Sequence, residues 1–147
     1  MVTILFVCTG NTCRSPMAAA IANKVFCTQG IAASAVSCGV YAQNGFAASS
    51  NAVQAMKSYD LSITEHQSKK ITKKAVESAH IVVTMTKNHK ILILSEYKRH
   101  ADKIFTLAEL CDDKDIGDPF GGDETMYLNC AAQIKNCIEK LNWEALL

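Results

Sequence analysis

The sequence has almost no excess charge of either sign, since 15 lysines and arginines oppose 14 aspartates and glutamates. The net charge of +1 gives no electrostatic reason to expect binding to nucleic acid or to a membrane surface. No apolar run approaches the ~20 residues that a membrane-spanning helix needs. The first residues lead directly into an apolar segment without the basic residues of a signal peptide, so we expect a cytoplasmic protein.

The sequence also lacks the paired cysteine spacing of zinc sites, although it contains seven cysteines. Because seven is an odd number, free thiols in a reducing cytoplasm are the simplest account. Three of the cysteines fall at apolar positions of predicted helices, where we expect them to fill the core: Cys27, Cys130 and Cys137. The sequence therefore predicts no metal site.

The chain shows no internal repeats, linkers or low-complexity tracts, and its length predicts one domain over residues 1–147. Short apolar runs predict strands at residues 4–7, 33–39, 80–84 and 103–106. Apolar periodicity and capping residues predict helices at residues 16–29, 49–59, 72–78 and 87–97, with a long final helix after Asp123. The alternation is typical of an α/β fold: a four-stranded parallel sheet with helices on both faces, in a three-layer arrangement similar to flavodoxin and Rossmann folds. The periodicity places several helical side chains in the core, among them Ile91, Leu94 and Met126.

A cysteine, an arginine and small polar residues lie between the first strand and the first helix. Cys8 and Arg14 have the spacing Cys-x5-Arg, with Ser15 predicted as the N-cap and Pro16 as the first helical residue. The backbone N–H groups of such a loop and the positive end of the helix favour a tetrahedral oxyanion. The sequence therefore predicts a phosphate-binding loop directly after the first strand.

The side chains of this loop suit phosphoryl chemistry. A thiol is a useful nucleophile when ionised, and we expect the loop amides, the helix and the guanidinium to lower the pKa of Cys8. Arg14 can bind two phosphoryl oxygens at once, and Gly10 permits a tight turn. Asn11 can hydrogen-bond its own loop, and the Ser15 hydroxyl can donate to the Cys8 sulfur. The alternative is a structural cysteine before an ordinary helix cap, which would leave the Arg14 charge without a partner.

A second candidate element lies in the polar loop after the fourth strand. Asp118 stands beside Pro119, and this loop is able to return to the same edge of the sheet as the cysteine. A carboxylic acid held over the phosphate site can protonate a leaving group and then accept a proton from the attacking water. An Asp-Pro pair also begins ordinary turns, so the loop by itself leaves both interpretations open.

Together these elements resemble the low-molecular-weight protein tyrosine phosphatase family. The resemblance covers nearly the whole chain and includes residues 7–18, 37–39, 66–68, 83–86 and 118–120. It implies that Cys8 forms a phosphocysteine intermediate, that Ser15 activates the Cys8 thiolate, and that Asn11 orients the loop. It also implies that Asp118 acts as general acid and then as general base.

The resemblance also implies what the protein binds. The phosphoryl group is expected to contact the loop residues Thr9, Gly10, Asn11, Thr12, Cys13, Arg14 and Ser15. The expected substrates are phosphorylated proteins, with no metal and no organic cofactor, and we expect a monomer. His66 matches a frequent family position, where we expect it to support the loop through hydrogen bonds.

Within the family the chain looks most like the bacterial protein-arginine phosphatases. Thr12 stands where tyrosine-directed relatives commonly have Ile or Leu, and the acid-bearing loop reads Asp-Pro-Phe-Gly-Gly. A threonine hydroxyl can bind a polar leaving group, whereas an apolar side chain favours a phenyl ring. The resemblance therefore favours phosphoarginine and leaves phosphotyrosine as the alternative, with Thr12, Tyr41 and Phe120 as specificity residues.

Cys13 lies in the same loop as the candidate nucleophile Cys8. The family often uses such a neighbour to trap the oxidised nucleophile as a reversible disulfide. A small buried loop residue is an equally good interpretation of Cys13.

Two more remote functions share parts of this pattern. Arsenate reductases that are coupled to thioredoxin need two further cysteines beyond the third strand, and residues 81–110 contain none. A phosphocysteine carrier passes its phosphoryl group on and needs no acid, so Asp118 and Arg14 argue against that function.

Overall fold

Four parallel strands form the centre of the structure, a computed structural model that describes residues 2–147. Their bounds are β1 Val2–Cys8, β2 Ala33–Gly39, β3 Ile81–Thr84 and β4 Ile104–Thr106. The strand order across the sheet is β2-β1-β3-β4. Val7 of β1 pairs with Cys38 on one side and with Thr84 on the other. The predicted four-stranded parallel sheet is therefore confirmed.

Helices cover both faces of this sheet, as the sequence predicts. Their bounds are α1 Arg14–Gln29, α2 Ser50–Lys57, α3 Lys73–Ser78, α4 Lys87–Glu96, α5 Leu107–Cys111, α6 Glu124–Lys140 and α7 Trp143–Leu146, with a 3-10 helix at Lys98–Lys103. Ile4 and Phe6 join the core that contains α1, α2 and α6, whereas Leu5 and Val7 pack with α3 and α4. Because both faces of β1 are buried, β1 has a continuous apolar run. None of the helices within residues 2–147 is long and apolar enough to cross a membrane.

The first helix begins two residues before the predicted start at Pro16. α1 starts at Arg14, and its N-cap residue is Cys13, whose side chain makes no capping hydrogen bond. The predicted N-cap, Ser15, lies inside the first turn, with its hydroxyl against the Cys8 sulfur. The prediction was wrong here because a serine that is favourable as a cap instead uses its hydroxyl for a contact outside the helix.

Two predicted core side chains lie at the surface. Ile91 is 54% exposed and Met126 is 50% exposed. His89 and Ile93 are buried on α4 instead, and Tyr127 is buried on α6. Each residue along a helix rotates the side-chain direction by about 100°, so an error of one residue in the helical phase exchanges an inner position for an outer one.

The cysteines differ from the prediction of free thiols. A disulfide joins Cys111, at the end of α5, to Cys137 in α6. Cys130 is a buried free thiol, as expected, but Cys27 is exposed rather than part of the core. Helix α5 has five residues, too few for apolar periodicity to indicate it, and so its contact with α6 could not be foreseen.

We expect reduction of the Cys111–Cys137 disulfide to lower the thermal stability of the protein. The sequence separation of the two cysteines is 26 residues. Closing a chain segment of that length stabilises a fold by about 3.5 kcal/mol in the chain-entropy model. For a domain of this size, such a loss corresponds to a decrease of about 7–14 °C in Tm, measured by calorimetry with and without a phosphine reductant.

The control variants isolate the disulfide from other effects of the reductant. The Tm of Cys111→Ser should not respond to the reductant, whereas Cys27→Ser should keep the full response because Cys27 is free. If the reductant left the wild-type Tm unchanged, the disulfide would make no contribution to stability.

Candidate active site

The loop after β1 lies at the carboxyl edge of the sheet, where parallel α/β folds bind ligands. β1 has β2 on one side and β3 on the other, so the chain leaves this region in opposite directions and a crevice opens above the end of β1. The loop between β1 and α1 fills the crevice. A cavity of about 240 Å³ opens there, lined by Cys8, Thr9, Gly10, Thr12, Cys13, Arg14, Asp118 and Phe120.

Asn11 determines the shape of this loop. Its φ is 58°, in the left-handed region, and its side chain is fully buried. The Asn11 Nδ2 donates to Ser15 Oγ at 2.8 Å and to Ser37 Oγ at 2.9 Å. The Asn11 Oδ1 accepts from the backbone N–H of Lys69 at 2.9 Å, and the Asn11 carbonyl oxygen lies 2.7 Å from His66 Nε2. These bonds offset the cost of the left-handed backbone.

The end of β2 packs directly against the back of the loop. A Cβ atom added to Gly39 would lie 2.5 Å from the Thr9 carbonyl oxygen and 2.9 Å from the Asn11 nitrogen. The backbone N–H of Tyr41 donates to the same Thr9 carbonyl oxygen at 3.0 Å. A side chain at Gly39 would therefore displace the loop, and the close approach of the two backbones requires glycine at this position.

Cys8 lies at the bottom of the cavity and is only 2% exposed. Its sulfur is 2.8 Å from Ser15 Oγ and accepts from the Asn11 backbone N–H at 3.3 Å. Burial raises the pKa of the Cys8 thiol above its ordinary value. The contacts with Ser15 and Asn11 and the charge of Arg14 oppose that increase without reversing it. The predicted lowering of the Cys8 pKa is wrong in direction, because the prediction leaves out the cost of burying a thiolate.

Arg14 is buried and held from several sides. Its Nη1 donates to the Ile116 carbonyl oxygen at 2.9 Å, and its Nη2 donates to Thr9 Oγ1 at 3.2 Å. The Nη2 atom also lies 3.6 Å from Asp118 Oδ2, in an ion pair whose aspartate side chain is 51% exposed. The structure therefore brings Cys8, Arg14 and Asp118 to one cavity. The sequence predicts the same meeting of the two loops at one edge of the sheet.

Asp118 lies in a loop of residues 112–123, which we call the acid loop. Hydrogen bonds to its backbone hold this loop on both sides. The Ile116 N–H donates to the Met85 carbonyl oxygen at 3.0 Å, and Gln133 Nε2 of α6 donates to the Lys114 carbonyl oxygen at 3.1 Å. The Asp118 Oδ1 accepts from the Phe120 N–H at 3.0 Å, which leaves Oδ2 on the Arg14 side.

Most of the remaining predicted site residues line the cavity, but one of them does not. Thr12 lines the cavity, and Phe120 lies at its rim with 76% of its surface exposed. Tyr41 is 67% exposed and is not among the side chains that line the cavity. Cys13 is buried and its sulfur lies 3.3 Å from Tyr127 Oη. Tyr41 is therefore the one predicted specificity residue outside the cavity.

Two buried residues that were not predicted from the sequence contact the loop. His89 Nε2 lies 2.9 Å from Thr9 Oγ1, and Tyr127 contacts Cys13. Burial lowers the pKa of His89 to about 4, and the charge of Arg14 contributes further in the same direction. The one available signal for His89 was its place in the first turn after β3, which ends at the same edge of the sheet as β1.

One group of side chains within residues 2–147 brings three metal-ligating atoms together: Cys111, Asp113 and Cys137. The two sulfurs form the disulfide, so neither is a thiolate that could bind an ion. None of the three lines the cavity at Cys8.

Comparisons with known proteins agree with this geometry. The family model described as low molecular weight phosphotyrosine protein phosphatase matches residues 3–146. The chain is 37% identical over 140 residues to a protein-arginine-phosphatase of Bacillus subtilis (strain 168), which covers 94% of this chain and 93% of that protein. It is also 37% identical over 142 residues to the low molecular weight protein-tyrosine-phosphatase PtpB of Staphylococcus epidermidis, covering 96% and 97%. The crystal structure of a YwlE mutant from Bacillus subtilis matches with a TM-score of 0.93 and 35% identity over 99% of both chains.

We expect Ser15→Ala to raise the pKa of Cys8 further, because the substitution removes a contact that lowers it. A hydrogen bond to a charged group contributes about 1.5–3 kcal/mol, which is a change of about tenfold or more in the thiolate fraction. The pH midpoint of alkylation by iodoacetate should therefore rise, and the alkylation rate at neutral pH should fall about tenfold with the thiolate fraction.

Ser37→Ala is the matched control, since Ser37 accepts from the same Asn11 amide but does not contact Cys8. Its alkylation midpoint should stay close to that of the wild type. Equal midpoints in wild type and Ser15→Ala would show that the Ser15 hydroxyl does not stabilise the thiolate.

Proposed function

The chain belongs to the low molecular weight phosphotyrosine protein phosphatase family, and we propose that it hydrolyses phosphoarginine on proteins through a phosphocysteine intermediate. The observation that carries this proposal is the buried Cys8 sulfur at the bottom of a cavity that Arg14 and Asp118 also line. Phosphoryl transfer through a covalent intermediate requires a nucleophile, a group that binds the phosphoryl oxygens, and an acid. This cavity holds a candidate for each of them.

In the first step the Cys8 thiolate attacks phosphorus, and the bond between phosphorus and the guanidino nitrogen of the substrate breaks. Arg14 and the loop amides bind the phosphoryl oxygens, and Asp118 gives its proton to the departing nitrogen. Asp118 Oδ2 lies 3.6 Å from Arg14 Nη2, so the acid and the anion-binding guanidinium are neighbours.

In the second step water attacks the phosphocysteine. Asp118 accepts a proton from this water, the sulfur–phosphorus bond breaks, and inorganic phosphate leaves the cavity. The departing Cys8 thiolate lies 2.8 Å from Ser15 Oγ. A hydrogen bond from this hydroxyl stabilises the sulfur both as nucleophile and as leaving group. No step of this sequence needs a metal or an organic cofactor.

The choice of phosphoarginine rests on one hydroxyl group in the lining of the cavity. Thr12 lines it with a hydroxyl, and Phe120 is the one aromatic side chain in the lining. A hydroxyl can hydrogen-bond the guanidino leaving group or the attacking water, whereas a branched apolar side chain at this position would favour burial of a phenyl ring. The similar identities to an arginine phosphatase and to a tyrosine phosphatase do not separate the two substrates.

The function and its specificity are tested with matched peptides that carry phosphoarginine or phosphotyrosine. We expect the wild type to have the higher kcat/KM on phosphoarginine, and Thr12→Ile to shift the ratio of the two values by about tenfold toward phosphotyrosine, as expected for one apolar group in a pocket. Cys8→Ser should hydrolyse neither peptide.

Thr64→Ile makes the same change at an exposed threonine and should leave the ratio unchanged. A wild type that prefers phosphotyrosine would overturn the arginine assignment, and an equal ratio in Thr12→Ile would remove Thr12 as its source. Turnover by Cys8→Ser would exclude the phosphocysteine route.

We also propose that Cys13 protects the nucleophile from irreversible oxidation. Hydrogen peroxide oxidises the Cys8 thiolate to a sulfenic acid, and the Cys13 thiol then attacks that sulfur with loss of water to form a disulfide. Both sulfur-bearing residues line the same cavity, which supports a pairing within the loop.

Peroxide followed by dithiothreitol tests this redox role. We expect activity to return in the wild type and in Cys27→Ser, an exposed cysteine control, but not in Cys13→Ser, where further oxidation to the sulfinic acid is irreversible. Equal recovery of Cys13→Ser and wild type would contradict the role.

A further inference from the structure

His89 takes no part in the two proposed steps, although it contacts the phosphate-binding loop. It lies in the first turn of α4 and is 5% exposed. Its Nε2 is 2.9 Å from Thr9 Oγ1, and its Nδ1 is buried without a hydrogen-bond partner among residues 2–147. One nitrogen of this buried imidazole has no partner, and the other contacts a side chain of the phosphate-binding loop. Such an arrangement requires an explanation.

The Thr9 hydroxyl has two neighbours on the protein side. Arg14 Nη2 donates to Thr9 Oγ1 at 3.2 Å, since a guanidinium has no acceptor. A hydroxyl has one proton to donate and two lone pairs that accept. Whether the Thr9 proton is free for a ligand therefore depends on the direction of its bond with His89.

The unpaired Nδ1 of His89 indicates that direction. If Nε2 accepted the Thr9 proton, Nδ1 would carry its own hydrogen and become a buried N–H without an acceptor. Orphaned buried N–H groups are rare in folded proteins. The favoured tautomer therefore carries its hydrogen on Nε2, donates to Thr9 Oγ1, and leaves Nδ1 as a bare nitrogen. Because its pKa is about 4, His89 remains neutral near pH 7.

Two donated hydrogen bonds then occupy both lone pairs of Thr9 Oγ1, from Arg14 and from His89. The hydroxyl proton is left over, and Thr9 lines the cavity that contains the Cys8 sulfur. A phosphoryl oxygen in that cavity is an acceptor for this proton.

We propose that the Thr9 hydroxyl is an additional donor to the bound phosphoryl group, and that His89 is a positioning residue that fixes the direction of this donor. The inference rests on the proposed function, because it needs a phosphoryl group in the cavity. His89 contacts neither the substrate nor Cys8 and acts through Thr9. The pair therefore adds a side-chain hydrogen bond to those that the loop amides and Arg14 provide.

The tautomer of His89 is the first test, and it uses the unmodified protein. Nitrogen-15 NMR of the histidine side chains at pH 7 distinguishes a protonated Nε2 from a protonated Nδ1. We expect the hydrogen of His89 on Nε2. A hydrogen on Nδ1 would overturn the proposal, because Thr9 would then donate to His89 and have no proton for a ligand.

Inhibition by inorganic phosphate is the second test, with para-nitrophenyl phosphate as the substrate. Thr9→Val removes the hydroxyl at nearly constant volume and should raise the inhibition constant of phosphate about tenfold, as expected for one hydrogen bond to an anion. Thr9→Ser should stay near the wild type. An unchanged inhibition constant in Thr9→Val would overturn the proposal.

Substitutions of His89 test the positioning role by the reach of the new side chain. The amide nitrogen of His89→Gln can take the place of Nε2, so this variant should keep most of the phosphate affinity. His89→Asn reaches only the place of Nδ1 and should lose about fivefold, somewhat less than the full hydrogen bond. Equal losses in the two variants would overturn the positioning role.

The double variant separates positioning from general destabilisation. In a Thr9→Val background, His89→Asn should have no further effect on phosphate affinity, because its effect passes through the missing hydroxyl. Additive losses would overturn the proposal. Ile93→Ala is the matched control: Ile93 is buried on the same helix, so its loss should lower Tm without changing the inhibition constant.

The failure of this inference is distinguishable from the failure of the proposed function. A wild type that neither hydrolyses para-nitrophenyl phosphate nor is inhibited by phosphate would contradict the phosphatase itself. An active wild type whose Thr9 and His89 variants bind phosphate normally would contradict only the role of this pair.

Discussion

The left-handed backbone at Asn11 is the constraint on which the rest of the site depends. Asparagine tolerates this conformation better than most residues, but the conformation persists only where surrounding contacts hold it. Here the contacts come from α1, from β2 and from the segment at Lys69, so three separate parts of the chain converge on one side chain. These contacts fix the shape of the loop from the protein side.

Burial has two opposing effects on the chemistry of this site. It raises the pKa of the Cys8 thiol and so disfavours the reactive thiolate. It also strengthens each electrostatic contact between a phosphoryl group and the donors around it. The Ser15 hydroxyl and the guanidinium of Arg14 reduce the first cost, because both favour the ionised sulfur. These two contacts therefore reduce the cost of ionising a buried thiol without removing it.

Much of the fold could be predicted from the sequence, because its determinants are local. The runs of apolar residues in β1 and β3 reflect burial on both faces, and the spacing of Cys8 and Arg14 indicated an anion site between a strand and a helix. The predicted start of α1 was wrong because the Ser15 hydroxyl contacts Cys8 and does not cap the helix. Its residue type alone could not reveal that choice.

Two of the contacts that could not be predicted from the sequence join distant segments. His89 is 80 residues from Thr9, and Cys111 is 26 residues from Cys137, so neither pairing leaves a local pattern. The exposure of Ile91 and Met126 has a different origin, since helical phase is poorly defined by a few apolar residues. The residues that line the cavity could be predicted from the sequence, whereas the neighbours that orient them could not.

The acid loop lies within the covalent ring that Cys111 and Cys137 close. Asp118 and the cap of α6 both fall between the two cysteines in the chain. A protease that cuts once in this exposed stretch therefore changes the connectivity of the backbone but releases no fragment. Asp118 then stays attached through the backbone to α5 or to α6, depending on the side of the cut on which it lies, and the disulfide keeps the two segments together.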